Sequence, residues 1–162
     1  MAPIASQAEG SGVYDEVEAV LRASRALLGV VARSVAEALE SVTLPQFRVL
    51  VVLASSGPVP IGILAAKLGS VPSTFSRFLD RMQEAGLVTR QPSPDSRREV
   101  LIALQPRGAA IVEEATERRR LAIGEILEGL DRTERAAIVA AMDEFSAGAR
   151  APAPETLLIL GL

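Results

Sequence analysis

Hydroxyl and arginine side chains cluster at the start of one predicted helix, in the segment PSTFSRFLDRMQEAG. The cluster consists of Pro72, which begins the helix, and the polar residues Ser73, Thr74, Ser76 and Arg77. Free backbone N–H groups and the positive end of the helix dipole make the first turn of a helix a suitable partner for phosphate oxygens. Arg77 can hydrogen-bond the edge of a guanine or contact a phosphate. The pattern predicts a helix that binds nucleic acid, with an ordinary amphipathic surface helix as the alternative.

A second charged cluster, Pro94-Asp95-Ser96-Arg97-Arg98, follows in a predicted loop. A carboxylate repels DNA, so we expect Asp95 to hold the loop or an arginine through a charge-assisted hydrogen bond. One of Arg97 and Arg98 is then left to enter a minor groove or to contact the DNA backbone. Alone, such a string is often only a solvated turn, but at the tip of a hairpin beside the first cluster it predicts a DNA-binding wing.

The elements around the two clusters form a predicted helix-turn-helix with a β-hairpin behind it. They are helices at 61–68 and 72–85 and extended segments at 87–90 and 99–104. Gly86 is expected to end the second helix in the left-handed conformation. The apolar residues of that helix share its inward face: Phe75, Phe78, Leu79 and Met82. A helix-turn-helix presents the N-terminal residues of its second helix to base edges in the major groove.

Further helices are predicted on both sides of this unit, at 13–39, 43–55, 106–130 and 131–150, which gives about six in all. Capping boxes are predicted for Thr43 with Gln46 and for Asp131 with Glu134. The first helix is longer than a small domain buries against itself. We therefore expect part of its apolar stripe to meet a partner chain; a long core helix in a monomer is the alternative. The predicted fold class is mainly α with a small β-wing, a winged helix-turn-helix.

The chain divides into one DNA-binding unit and its flanks. Residues 43–105 form the predicted winged helix-turn-helix domain. Residues 13–42 and 106–162 hold the predicted dimerisation helices and an apolar C-terminal tail, which we expect to pack on the protein or on a partner chain. Residues 1–12 are small and polar with two glycines, and we expect them to be disordered.

Composition excludes several classes of function. At 162 residues, with 49% apolar side chains, the chain is long enough for one domain with a core. Cysteine and histidine are absent, which removes disulfides, thiol switches, Ser-His-Asp and Cys-His catalysis and the usual transition-metal sites. With no paired-carboxylate motif or glycine-rich phosphate loop, we expect no enzyme, cofactor or metal. No apolar run reaches about 18 residues and no signal peptide is recognisable, so the expected compartment is the cytoplasm, with no membrane partner.

The net charge of −3 is unusual for a DNA-binding protein, whose surface is normally basic. The charge is unevenly distributed. From Lys67 to Arg107 there are seven positive and four negative side chains, whereas the remainder carries ten positive and sixteen negative. A basic face on an acidic body is compatible with binding double-stranded DNA; scattered solvated charges are the alternative.

From Thr43 to about Phe145 the chain resembles the MarR (multiple-antibiotic-resistance regulator) family of bacterial winged-helix repressors. The resemblance lies in TLPQFRVLVVL, LAAKLG, PSTFSRFLDRMQEAGLVTRQPSPDSRREV, the L-x-P-R-G start of the next helix and LDRTERAAI. It implies a homodimer whose N- and C-terminal helices interlock and whose two winged domains bind one pseudo-palindromic DNA site. It also implies that the first cluster lies on the recognition helix and that Asp95 and Arg97 form the wing pair.

The resemblance further implies repression that is relieved by small, often aromatic or phenolic, ligands bound between the dimer helices and the winged domain. Candidate ligand contacts are Arg22, Arg25 and Arg48, with a salt bridge as the alternative for each. The predicted function is a homodimeric DNA-binding regulator that represses its own or a nearby operon and is released by a small molecule. A winged-helix module that binds protein instead of DNA is the alternative.

The chain departs from the family pattern at two positions. Val71 stands where the family commonly has serine before the proline of the recognition helix, and Ser70 lies one residue earlier. We therefore expect the helix cap to be shifted or weakened. Ile63 stands where a polar, often acidic, residue is usual. The thiol and metal sensors of the family need cysteine or histidine, so this chain is expected to sense a small molecule or nothing.

Overall fold

The computed structural model describes residues 6–70, 72–94, 96 and 99–149, with side chains from Val13 onward apart from those of Pro72 and Ser73. The helices in these residues are α1 Ser6–Ala36, α2 Ala38–Ser41, α3 Leu44–Ser56, α4 Ile61–Lys67, α5 Pro72–Glu84, α6 Pro106–Glu128 and α7 Arg132–Gly148. The strands are β1 Val59–Pro60, β2 Val88–Pro92 and β3 Val100–Leu104. The predicted fold class is confirmed; the four-residue α2 is an addition to the six predicted helices.

The three strands form one small antiparallel sheet in the order β1-β3-β2. Arg90 of β2 and Val59 of β1 both lie opposite Ile102 of β3. The hairpin of β2 and β3 is the predicted wing. Because β1 lies between α3 and α4 in the chain, its pairing with β3 ties the helix-turn-helix to the wing.

The helix ends depend on local capping. Thr43 begins α3: its backbone N–H donates to Oε1 of Gln46 at 2.8 Å, and its hydroxyl accepts from the backbone N–H of Gln46 at 3.4 Å. Asp131 begins α7 in the same way with Glu134. Gly86, just after α5, has φ +70°, in the left-handed region that favours glycine. The predicted capping boxes and the predicted Gly86 cap are confirmed.

The core lies between α3, α5 and the sheet, and α4 and the first turns of α6 close it. Its largest fully buried side chains include Phe47, Leu50, Leu64, Leu79, Met82 and Ile102. The predicted inward face of α5 is confirmed for Phe75, Leu79 and Met82, which are all buried. Phe78 is partly buried and stacks on Phe75, with the ring centroids 5.8 Å apart. Burial of this face fixes α5 on its domain and leaves the polar face outward.

The first helix begins earlier than the sequence predicts. α1 starts at Ser6, so residues 6–12 are helical where we expected disorder. Adding a residue to an existing helix costs far less than starting one, which allows α1 to extend through the two glycines of this segment. Residues 1–5 lie outside the described residues.

A break at Glu37 separates α1 from α2, where the sequence predicts one helix to about Leu39. Side chains of α6 hold this break. Nε of Arg118 donates to the carbonyl oxygen of Ser34 at 3.2 Å, and its Nη1 lies 3.1 Å from Oε2 of Glu37. Nε of Arg119 donates to the hydroxyl of Ser34 at 3.4 Å, and burial lowers the pKa of Arg119. These contacts fasten the end of α1 to α6.

α6 approaches the segment after α5 closely at Gly108. A Cβ atom at that position would lie 2.3 Å from the carbonyl oxygen of Leu87 and 3.0 Å from Cδ2 of Leu50. Glycine, which lacks a Cβ atom, permits this backbone approach. The glycine of the L-x-P-R-G segment therefore places the first turn of α6 against the start of the wing.

The outer helices leave apolar side chains uncovered. α7 has no buried residue. The exposed large apolar residues of α1 and α7 are Val13, Tyr14, Val17, Val20, Leu21, Leu27, Leu28, Ile138, Val139, Met142 and Phe145. None of the described helices is both long and apolar enough to cross a membrane.

Candidate nucleic-acid interface

The N-terminal half of α5 carries the polar residues that the sequence predicts to contact DNA. Thr74 and Arg77 are exposed, and Ser76 is partly buried. Pro72 and Ser73 begin the helix, but their side chains lie outside the described set. Because the apolar face of α5 is buried, the exposed side chains of Thr74 and Arg77 are open to a groove.

β2 contributes an arginine that the sequence analysis did not single out. Nη1 of Arg90 lies 2.5 Å from Oδ1 of Asp80 and forms an ion pair with it. Nη2 of the same guanidinium donates to the carbonyl oxygen and to the hydroxyl oxygen of Ser76, both at 3.4 Å. Arg90 and Asp80 are ten residues apart on different elements, a spacing that by itself predicts no contact.

The C-terminal end of α5 is held from the start of α6. Nη1 of Arg107 donates to the carbonyl oxygen of Ala85 at 2.8 Å. Nε2 of Gln105 donates to the carbonyl oxygen of Val88 at 3.1 Å, and the backbone N–H of Gln105 donates to the carbonyl oxygen of Leu87 at 3.0 Å. A cation at a helix C-terminus also interacts favourably with the helix dipole. α5 is therefore held at its end by α6 and along its length by β2.

The structure describes the base of the wing. β2 and β3 pair along their full lengths. Beyond them, the backbone N–H of Ser93 donates to the carbonyl oxygen of Glu99 at 3.0 Å, which continues the hairpin toward the charged loop. Outside the described residues lie Asp95, Arg97 and Arg98 of the wing and Val71 before the recognition helix.

A cleft with a volume of about 740 Å³ lies beside α5. Its charged lining residues are Arg48 from α3 and Arg77 and Arg81 from α5, and its other lining residues include Ser70, Thr74, Phe75 and Phe78. Arg48 is thus one predicted ligand contact that lines a cleft, whereas Arg22 and Arg25 are exposed on α1 and do not line this one. Cationic and aromatic side chains together suit a small anion that carries a ring.

Comparison with known sequences relates the chain to bacterial transcriptional regulators. The MarR family model matches residues 42–100. The multiple antibiotic resistance protein MarR of Salmonella typhimurium is 37% identical over 81 residues, which cover 48% of this chain and 54% of that protein. The HTH-type transcriptional regulator Mb0904 of Mycobacterium bovis is 32% identical over 102 residues, which cover 63% of this chain and 71% of that protein.

A solved structure extends the similarity over most of the fold. The crystal structure of RV1404 from Mycobacterium tuberculosis has a TM-score of 0.71 and 41% sequence identity to this chain, and the match covers 83% of this chain and 92% of that one. The chain belongs to the MarR family. As a MarR-family member it is a DNA-binding transcriptional regulator with a winged helix-turn-helix, and it is not an enzyme.

Membership of the MarR family bears on the remaining alternatives. The matched residues 42–100 include all of α5, Arg90 and the base of the wing. Relatives named as transcriptional regulators do not favour a winged-helix module that binds only protein. Among the described residues of this MarR-family chain, no group of three or more acidic side chains is placed to hold a metal ion.

Proposed function

We propose that this chain is a homodimeric repressor of its own or a neighbouring operon, acting in the cytoplasm, and that a small-molecule ligand releases it from DNA. The observation that carries the proposal is the exposure of Thr74 and Arg77 near the start of α5, opposite a buried apolar face that fixes the helix on its domain. Arg77 and Thr74 are exposed there. The positive excess from Lys67 to Arg107 favours DNA at this face over the acidic remainder of the chain.

The proposed contacts divide between α5 and the wing. The α5 residues that contact bases and phosphates in the major groove are Pro72, Ser73, Thr74, Ser76 and Arg77. Asp95 holds the loop or one arginine, and one of Arg97 and Arg98 reaches the DNA backbone or a minor groove. Although the hydroxyl of Ser76 accepts a hydrogen bond from Arg90, it can still donate one, so it remains available to a phosphate.

Dimerisation is supported by the apolar surface of the outer helices. On α1, Tyr14 and Val13 are 65% and 61% exposed, and on α7 Phe145 is 58% exposed. Exposed apolar patches of this kind commonly mark protein–protein contacts. A two-fold dimer places two recognition helices about 34 Å apart, in successive major grooves of a pseudo-palindromic site.

The cleft beside α5 is the proposed ligand site. Arg48 and Arg81 offer charge-assisted hydrogen bonds to a carboxylate or phenolate, and the phenylalanine rings offer apolar contact. Arg77 lines the cleft as well as the recognition face, so a bound anion competes with DNA for it. Shifting the dimer almost completely from its DNA-binding state requires about 5.5 kcal/mol of differential affinity, so a weak ligand relieves repression only partly.

The test is binding of the full-length protein to DNA upstream of its own gene and to a random-sequence duplex library, at about 0.1 M salt. We expect one duplex family to bind with a Kd of about 10 nM or tighter. Arg77→Ala should raise that Kd by about tenfold or more and change the preferred sequence, because a bidentate arginine contributes about 1–3 kcal/mol of base discrimination.

Arg120→Gln is the matched control for the Arg77 variant. Arg120 is exposed on α6 and pairs with Glu113 and Glu117 of the same helix, so its loss should leave the Kd unchanged. Failure of the wild-type protein to select any sequence would overturn the proposal. A loss with Arg77→Ala that is equal on every DNA sequence would contradict base reading by this residue.

A further inference from the structure

One side chain links the recognition helix to the strand that leads into the wing. Arg90 lies in the middle of β2, opposite Ile102 of β3. Its guanidinium contacts Ser76 and Asp80 of α5. These two residues are four positions apart in the chain and therefore about one helical turn apart on the same side of the helix.

The two contacts use different nitrogen atoms of the guanidinium. Nη1 of Arg90 pairs with Oδ1 of Asp80, while Nη2 donates to the backbone carbonyl and the hydroxyl of Ser76. A rigid planar fork that holds two points one turn apart resists rotation of α5 about its axis as well as sliding along the strand. A lysine ammonium, which is a single point of charge, cannot hold both points in the same way.

The location of this fork matters more for orientation than for stability. The side chain of Asp80 is 50% exposed and that of Arg90 is 29% exposed, and ion pairs this accessible to water contribute little to folding. Ser76, however, directly precedes Arg77, so a rotation of α5 at Ser76 redirects the side chain that is proposed to read bases.

We propose that Arg90 is a positioning residue for DNA recognition. Its guanidinium sets the orientation of α5 relative to β2, so that the recognition helix and the wing fit one DNA site together. Asp80 holds the guanidinium in place, and Arg90 itself reads no base. This inference rests on the DNA-binding function proposed above.

The competing role for Arg90 is a direct phosphate contact, and the two roles predict opposite effects at Asp80. If Arg90 positions α5, Asp80→Asn loosens the fork and weakens binding to the preferred sequence. If Arg90 binds phosphate, Asp80→Asn frees a cation and removes a negative charge beside the DNA. Binding to every sequence would then become tighter.

The experiment measures binding of full-length Arg90→Gln, Arg90→Lys and Asp80→Asn proteins to two duplexes over a series of salt concentrations. One duplex is selected by the wild-type protein from a random library, and the other is a scrambled sequence of the same length. Arg90→Gln and Asp80→Asn should each raise the Kd of the selected duplex by about tenfold and leave the scrambled duplex and both salt slopes unchanged. Arg90→Lys should recover only part of the loss.

Arg120→Gln again serves as the matched control, since it removes an exposed arginine paired with two carboxylates but no link to α5. Thermal unfolding and molecular mass of each variant separate misfolding from mispositioning, and Asp80→Asn preserves the test if Arg90→Gln does not fold. The proposal would be overturned if Arg90→Gln weakened binding to both duplexes equally and made the salt slope smaller than that of wild type by about one. Tighter binding by Asp80→Asn would overturn it as well. A wild-type protein that selects no duplex would overturn the DNA-binding function itself, and this inference with it.

Discussion

Gly108 lies where a side chain has no room, in the first turn of α6. A Cβ atom there would meet the backbone carbonyl of Leu87 at 2.3 Å, and backbone cannot swing aside as the end of a flexible side chain can. Gly108→Ala is therefore expected to lower the free energy of unfolding by about 1–3 kcal/mol, as overpacked cores do. Urea denaturation followed by circular dichroism measures this change.

Gly124 provides the control on the same helix. No described atom outside the local helix lies within 4 Å of a Cβ atom placed there. Gly124→Ala should leave the free energy of unfolding unchanged or raise it by about 0.4–1 kcal/mol, because alanine has fewer unfolded conformations to lose. Destabilisation of the same size at both positions would contradict the close approach at Gly108.

Ser76 shows how one residue can serve two contacts. Its residue type and its place on α5 predict a DNA contact, and the structure adds a hydrogen bond from Arg90. A hydroxyl can accept one hydrogen bond while it donates another. The side chain is therefore compatible with both the internal link to β2 and a phosphate.

At the scale of elements, α5 is held in three different ways. Its apolar face is buried in the core, its C-terminal end receives a hydrogen bond from Arg107, and its polar side is linked to β2 by Arg90. Thr74 and Arg77 near its start are left exposed. A helix held in this way can present its N-terminal residues to DNA in a fixed orientation.

The start of α3 depends on the Thr43 cap. Thr43→Ala removes the hydroxyl that accepts from the backbone N–H of Gln46, and it should lower the free energy of unfolding by about 1 kcal/mol. Thr43→Ser keeps an acceptor and should retain most of that stability. Guanidinium denaturation of the two variants is the measurement, and equal losses would assign the effect to the threonine methyl group instead of the cap.

At the scale of the whole molecule, the chain combines a net charge of −3 with a positive segment around α5 and an apolar surface on α1 and α7. A two-fold dimer would cover the apolar surface and present two recognition helices to one DNA site. The acidic remainder of each chain would disfavour DNA elsewhere on the protein.

Phe145→Glu tests the dimer. A carboxylate in a buried apolar interface is strongly unfavourable, so the variant should be a monomer by light scattering. It should also bind the selected duplex more weakly than wild type, since each half-site alone supplies fewer contacts.

The control for Phe145→Glu is Ile63→Glu. Ile63 is an apolar residue of α4 that is 51% exposed. The Ile63→Glu variant should have the same molecular mass by light scattering as the wild-type protein. A dimeric Phe145 variant, or a monomeric Ile63 variant, would place the interface elsewhere.

The candidate site was predictable in part. Thr74 and Arg77 were expected at the exposed start of a recognition helix from residue type and helical spacing, and both are exposed there. Arg90 and Arg107 were not singled out, because an arginine in a strand or at a helix start is usually only a solvated charge. Their partners lie on other elements, and no sequence spacing predicts which elements meet.

The spacing of residues along the chain is enough to predict the helices and where most of them end. Thr43 with Gln46 and the left-handed Gly86 each act within a few residues of their own element, so their effect can be derived from local spacing. Packing between distant segments sets the pairing of β1 with β3, the close approach at Gly108 and the link from Arg90 to α5. These contacts join residues that are distant in the chain, and they exist only because packing of the shared core brings those elements together.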